Sequence, residues 1–199
     1  MHIQEMRITP IAIEDPPLLN AAGLHAPFAL RTIIEIEDNH GVVGLSEIPG
    51  SEDITRALHS ASELLIGKSP FELNHILRQL TKRFGQKEED NRGQAPWDQR
   101  RLVHIFSAVE VACLDLIGKT MDKPVVDLLG GRCRDRVPFS AYLFLKHEGA
   151  GGPLAFSTDS SASGWAAVRQ KAALSPQGIV EQAEAMCKEF GFQSIKLKG

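Results

Sequence analysis

The last third of the chain runs strand, long connection, helix, strand, and that order leaves few folds open. Ser175 and Pro176 read as the N-cap and first residue of a helix with Ile179, Ala183, Met186, Cys187 and Phe190 along one stripe; Gly191 reads as its stop. The strand-like stretch FQSIKLK follows at once, and RVPFSAYLFL supplies a strand upstream. A unit of this kind implies parallel pairing with the helix laid on the sheet. Its connection, residues 147–174, is rich in glycine, serine and alanine, with Phe156 and Trp165 as its aromatics. Connections that long are usually functional or disordered.

Side chains alternate across a strand, so Ser194, Lys196 and Lys198 share one face while Ile195 and Leu197 share the other, where they are expected to meet the helix. A sheet with one wet face explains an isolated KLK well enough. If the sheet closes into a barrel, the lysines instead face its interior near the carboxyl end of the strand, where α/β barrels keep their active sites. Two ammonium groups about 7 Å apart repel each other, which favours loss of a proton from one and suits it to act as a base near neutral pH.

Upstream, Met6–Ile13 reads as a strand, DPPLLNAAGLHAPF interrupts it, and LRTIIEIE resumes the alternation. The turn DNHG joins that run to VVGLSEI, giving a three-stranded meander. Ser51 caps a helix through ITRALHSASELLIG, and Ser69-Pro70 read as the start of another. GQKEEDNRGQAP reads as a solvated loop. Leu102, Ile105, Phe106, Val109, Cys113, Leu116 and Ile117 then keep helical spacing and predict a buried helix; a short helix in KPVVDLLGG stops at Gly130 and Gly131. A boundary there divides the chain into 1–131 and 132–199.

With 199 residues, 43% of them apolar, the chain can bury a substantial core. Its 22 Lys and Arg nearly balance 25 Asp and Glu, so no global charge points to nucleic acid or an anionic membrane. The three cysteines show no metal or redox spacing, which fits a reduced, cytoplasmic setting. Neither a leader nor a membrane span is expected from the pattern of apolar residues.

The stretch AVEVACLDLIGKTMDKPVVDLLGG, residues 108–131, closely resembles the junction between capping domain and barrel in the enolase superfamily, mandelate racemase type. LLNAAGLHAPF, GLSEIPG, AYLF and FQSIKLKG are similar to the glucarate dehydratase group within it. The resemblance implies an α+β capping domain, meander plus helical bundle, followed by the start of a (β/α)7β barrel. It implies a hydro-lyase that dehydrates D-glucarate or a related aldarate through an Mg²⁺-stabilised enediolate. By the same match Lys198 would be the base, Lys196 would lie against the substrate carboxylate, and Asn20, His25, Tyr142 and Phe144 would contact substrate. Bottom-up, Asn20 could simply form a turn, His25 could sit in a surface loop, and Tyr142 and Phe144 could be core. Pro96 stands where the resemblance places a hydroxyl residue, which leaves room for a related dehydratase. The Mg²⁺ ligands of the family come from later strands, so the chain is expected to be an N-terminal part, inactive and prone to aggregate or pair through open strand edges, of an enzyme that is a homo-oligomer at full length. An acid-sugar racemase or epimerase, and a non-catalytic capping-domain protein, are the competing readings.

Overall fold

The structure, a computed structural model, describes residues 1–20, 23–24, 28–85, 101–150 and 157–198, with Asn20, Gly23 and Leu24 described by backbone alone. His25, Pro96 and Phe156 therefore lie outside the described residues. The chain divides into two compact units, Met1–Ile11 with Leu30–Cys133, and Ala12–Ala29 with Arg134–Gly199.

In the first unit a three-stranded sheet has the order β1 (Ile3–Glu14), β4 (Phe28–Asp38), β5 (Val43–Pro49). The hairpin between the last two is made by Asp38, whose Oδ1 accepts from His40 N at 2.9 Å and Val42 N at 3.0 Å, and by Gly41 at φ +79°. This local bonding and positive φ are what Asn, Asp and Gly supply in tight turns. Alternation then sorts β4: Thr32, Ile34, Ile36 and Asp38 are buried, while Arg31, Glu35 and Glu37 lie on the other face. There Arg7 donates to Glu37 at 2.7 Å and Glu35 at 3.4 Å.

Helices cover the buried face. Ser51 caps α1 (Glu52–Leu65), its hydroxyl accepting from Ile54 N at 3.2 Å. Helix α2 begins at Leu73 and runs to Phe84, later than Ser69-Pro70 predicted. Ser69 Oγ accepts from Phe71 N at 3.3 Å and Ser69 O from Glu72 N at 3.0 Å, so the pair closes a turn ahead of the helix instead of capping it. The long helix α3 (Arg101–Met121) carries the predicted stripe, with Ile105, Val109, Cys113 and Leu116 at 0% exposure. Burial pushes the Cys113 thiol up to about 12.

Helix α3 and β5 touch so closely that a Cβ at Gly44 would lie 2.0 Å from Ala112 O. The approach is fixed by polar bonds as well: Ser46 Oγ donates to Ala108 O at 2.6 Å, and Asp115 accepts from Leu45 N at 2.8 Å. Short α4 (Val125–Leu128) ends at Gly130 and Gly131, whose φ values of +101° and +99° only glycine adopts cheaply.

The second unit holds a four-stranded sheet, β3 (Gly23–Leu24), β2 (Leu18–Asn20), β6 (Ala141–Lys146), β7 (Ile195–Lys198). Strands β6 and β7 are parallel, as the strand–helix–strand order requires, with α6 (Pro176–Phe190) between them in sequence. Ser175 Oγ accepts from Gly178 N at 3.3 Å and Gly191 takes φ +70°, the start and stop read in the sequence.

Several features differ from expectation. Residues 12–29 fall within the 1–131 division but belong to the second unit, because β2 pairs antiparallel with β6, Leu18 with Lys146 and Leu19 with Leu145. The connection 147–174 contains α5 (Gly164–Val168) and bridges from Ala150 to Ser157 and from Lys146 to Ala173. Strand β6 occupies only the second half of RVPFSAYLFL. Ile195 and Leu197 are 52% and 58% exposed, since α6 packs mainly against β6 and leaves that face of β7 largely uncovered. The α6 stripe is half-buried at best, and the buried residue of that helix is Gln182.

Candidate functional site

The parallel register sets Tyr142 beside Lys196 and Phe144 beside Lys198. Alternation puts all four side chains on one face, and their contacts agree. The Tyr142 and Phe144 ring centroids are 4.5 Å apart at a tilt of 46°. Lys196 Nζ stands 4.9 Å from the Tyr142 centroid and Lys198 Nζ 5.8 Å from that of Phe144. An ammonium over a ring face at this range gains about 0.5–1 kcal/mol at exposed positions, enough to bias where a long side chain rests. Both lysines are exposed and Tyr142 is 40% exposed, so the face is accessible. On the opposite face Ala141 and Leu143 are buried.

Of the six residues picked out from the sequence, four thus gather on one surface. Asn20 ends β2, one residue beyond the pairing of Leu19 with Leu145; the antiparallel register runs back along β6 from Lys146, so its backbone comes level with Phe144 in the same sheet.

Two residues that the sequence did not single out hold this strand end. Gln182, 3% exposed, donates through Nε2 to Phe144 O at 3.0 Å. Lys146, 1% exposed, donates through Nζ to Lys171 O, and its backbone exchanges hydrogen bonds with Ala173 at 3.3 and 2.8 Å. Burial, with Arg169 adding repulsion, pushes the Lys146 ammonium down to about 8. The only sequence signal for either was chemical: a polar residue on a stripe of helix neighbours, and a lysine closing an apolar strand.

Chemically, the face offers two cations beside two rings. It can pair with carboxylates, and a deprotonated amine there can take up a proton. It does not suit a divalent metal: among the described residues no three His, Cys, Asp or Glu side chains converge, and paired ammonium groups repel a cation. The Mg²⁺ expected from the resemblance has no donor set among these residues.

The family model for the mandelate racemase / muconate lactonizing enzyme N-terminal domain matches residues 15–130, more than half of the chain. The chain belongs to this family of the enolase superfamily. Its sheet-and-helix unit is the N-terminal capping domain of that superfamily. Among curated relatives, a "Probable glucarate dehydratase" of Streptomyces coelicolor is 37% identical over 205 residues, covering 99% of this chain and 45% of that protein. A D-galactonate dehydratase of Variovorax paradoxus is 32% identical over 107 residues, 52% of this chain and 25% of that one. Among solved structures, an enolase from Pseudomonas fluorescens Pf0-1 with bound magnesium, potassium and tartrate superposes with a TM-score of 0.84 at 41% identity, over 100% of this chain and 45% of that one. This family member therefore spans less than half the length of those relatives. No helix among its described residues is long and apolar enough to cross a membrane.

Proposed function

We propose that this chain carries the proton-abstracting part of an acid-sugar hydro-lyase acting on D-glucarate or a related aldarate. The observation that carries the reading is the register placing Lys196 and Lys198 over Tyr142 and Phe144 on one exposed face. The dehydratase names of the similar proteins, and the tartrate, a small hydroxy-diacid, held by the similar enolase, support the substrate class.

In this reading β6, α6 and β7 begin a (β/α) barrel, and the lysine face lines its mouth. The Lys196 ammonium pairs with the substrate carboxylate and lowers the cost of charge building on it. The neutral amine of Lys198 takes the proton from the carbon next to that carboxylate. The electron pair left behind moves into the carboxylate as an enediolate. It returns to form a carbon–carbon double bond as the hydroxyl on the adjacent carbon leaves, and tautomerisation gives the keto-deoxy acid. Tyr142 and Phe144 form the floor on which the sugar chain lies, with Asn20 and His25 as further contacts. Magnesium, which the similar Pseudomonas fluorescens enolase holds, would supply Lewis-acid chemistry to such a reaction, and the described residues offer it no ligand set.

The experiment fuses residues 1–199 to the remaining part of the Streptomyces coelicolor relative and assays D-glucarate dehydration with Mg²⁺. Activity is expected, and Lys198→Met should lower kcat by about 10²-fold or more, the usual contribution of a positioned acid or base. A Lys198→Met fusion within a few-fold of its parent would refute the assignment. Residues 1–199 alone are expected to show no turnover.

A further inference from the structure

The proposed reaction leaves the burial of Gln182 unexplained. A side chain that costs free energy to bury stays inside when its hydrogen bonds are made, and Gln182 makes its bond to a single atom, Phe144 O, at 3.0 Å. A strand carbonyl usually accepts from a neighbouring strand. Here β2 pairs with β6 at Lys146 and Leu145, β7 pairs with it at Phe144, and the Phe144 carbonyl accepts in addition from the helix side chain. Phe144 is also the residue in register with Lys198 and the one whose ring underlies the Lys198 ammonium at 5.8 Å. Fixing a residue's carbonyl fixes its ψ, and with it the direction in which its Cα–Cβ bond leaves the strand. Two residues on, the bonds from Lys146 to Lys171 and Ala173 pin the same strand end, so the Gln182 bond acts on a segment with little room to rotate.

We propose that Gln182 is a positioning residue for the candidate base: its amide, acting through the Phe144 carbonyl, sets where the Phe144 ring stands and hence where the Lys198 ammonium rests. The assignment of a role to that placement rests on reading Lys198 as the base; the placement itself does not.

The test reads the placement directly in the 199-residue chain. Reductive methylation with ¹³C-formaldehyde leaves each lysine a dimethylammonium, still cationic, and Lys198→Arg identifies the Lys198 resonance. The ring current of Phe144 should displace that resonance upfield, and Phe144→Leu should remove the displacement. Gln182→Met, similar in length but without a donor, is expected to cut it to less than half while Lys196 keeps its displacement over Tyr142. Gln182→Glu donates only when its carboxyl is protonated, so the displacement should return as pH falls and vanish as it rises. Packing alone would not produce that pH dependence. An unchanged displacement in Gln182→Met, a pH-independent one in Gln182→Glu, or a wild-type Lys198 resonance that Phe144→Leu does not move, each overturns the proposal. If neither Gln182 variant folds, the wild-type chain decides on warming. Protection of the Gln182 side-chain amide protons and the Lys198 displacement should then be lost together; separate loss overturns the proposal. None of these readings involves sugar-acid binding, so failure of the fusion assay and failure of this placement are separate results.

Discussion

Inside the first unit Ile34, Ile36, Leu58, Leu65, Ile105 and Leu116 are all at 0% exposure, whereas inside the second the large fully buried side chains are Leu143 and Lys146, with Gln182 at 3%. One interior is held mainly by apolar volume, the other largely by directed hydrogen bonds. Apolar packing is non-directional and tolerates small shifts, while a buried amide or ammonium must find its acceptor at a set distance and angle. The first unit fixes Ala108 O in this way, through Ser46, but the interior of the unit with the lysine face depends more on such bonds: they hold Phe144 O, Lys171 O and, through Gln170 Nε2, Ala166 O at 2.8 Å.

The largest effect should come from cutting into the apolar interior. Leu116→Ala is expected to cost about 2–5 kcal/mol, the range for emptying a fully buried leucine site, with the loss confined to first-unit amides in hydrogen exchange. A matching loss at β6 amides would break the comparison, since it would mean that the two interiors share one cooperative core. Next in size is Gln182→Met, which takes the buried amide donor away from the Phe144 carbonyl and should cost the second unit about 1–3 kcal/mol, read from exchange of β6 amides.

Smaller still is a pH effect at Lys146. In the fold its ammonium is held down to about 8, against a usual value of 10.5. Between those values the unfolded chain binds more protons, so stability rises with pH across that window, and the cost of the buried charge is fully present below it. Relative to Lys146→Met, the wild type should gain on the order of 1–2 kcal/mol between about pH 7.5 and about pH 10.5. A flat difference would show that the amine is hydrated in solution. Smallest should be Arg7→Ala. Arg7 has three carboxylate partners, Glu5, Glu35 and Glu37, but its side chain is 35% exposed, and ion pairs in water contribute little. A shift in urea midpoint as large as that of Gln182→Met would remove the distinction between exposed and buried polar bonds.

What the sequence disclosed follows the same division. The caps at Ser51 and Ser175, the stop at Gly191, the Asp38–Gly41 turn and the α3 stripe are local or periodic signals, and each stands in the structure. The shared face of Tyr142, Phe144, Lys196 and Lys198 was half legible: strand parity pairs the lysines, but only parallel registration brings the rings beneath them. Gln182 and Lys146 escaped because glutamine and lysine are ordinarily read as surface residues. The exposure of Ile195 and Leu197 escaped because parity names a face without saying what covers it. Pairing of β2 with β6 joins positions more than a hundred residues apart and leaves no local mark.

That last pairing sets a schedule for the nascent polypeptide. Leu18 and Leu19 leave the ribosome early, yet their partners Lys146 and Leu145 are translated only after every residue of the first unit has been made. At ordinary rates of synthesis the wait is on the order of ten seconds. Throughout it the edge of β2 that will meet β6 has donors and acceptors on offer and no mate, and an interval of that length is when a chaperone would find its binding site.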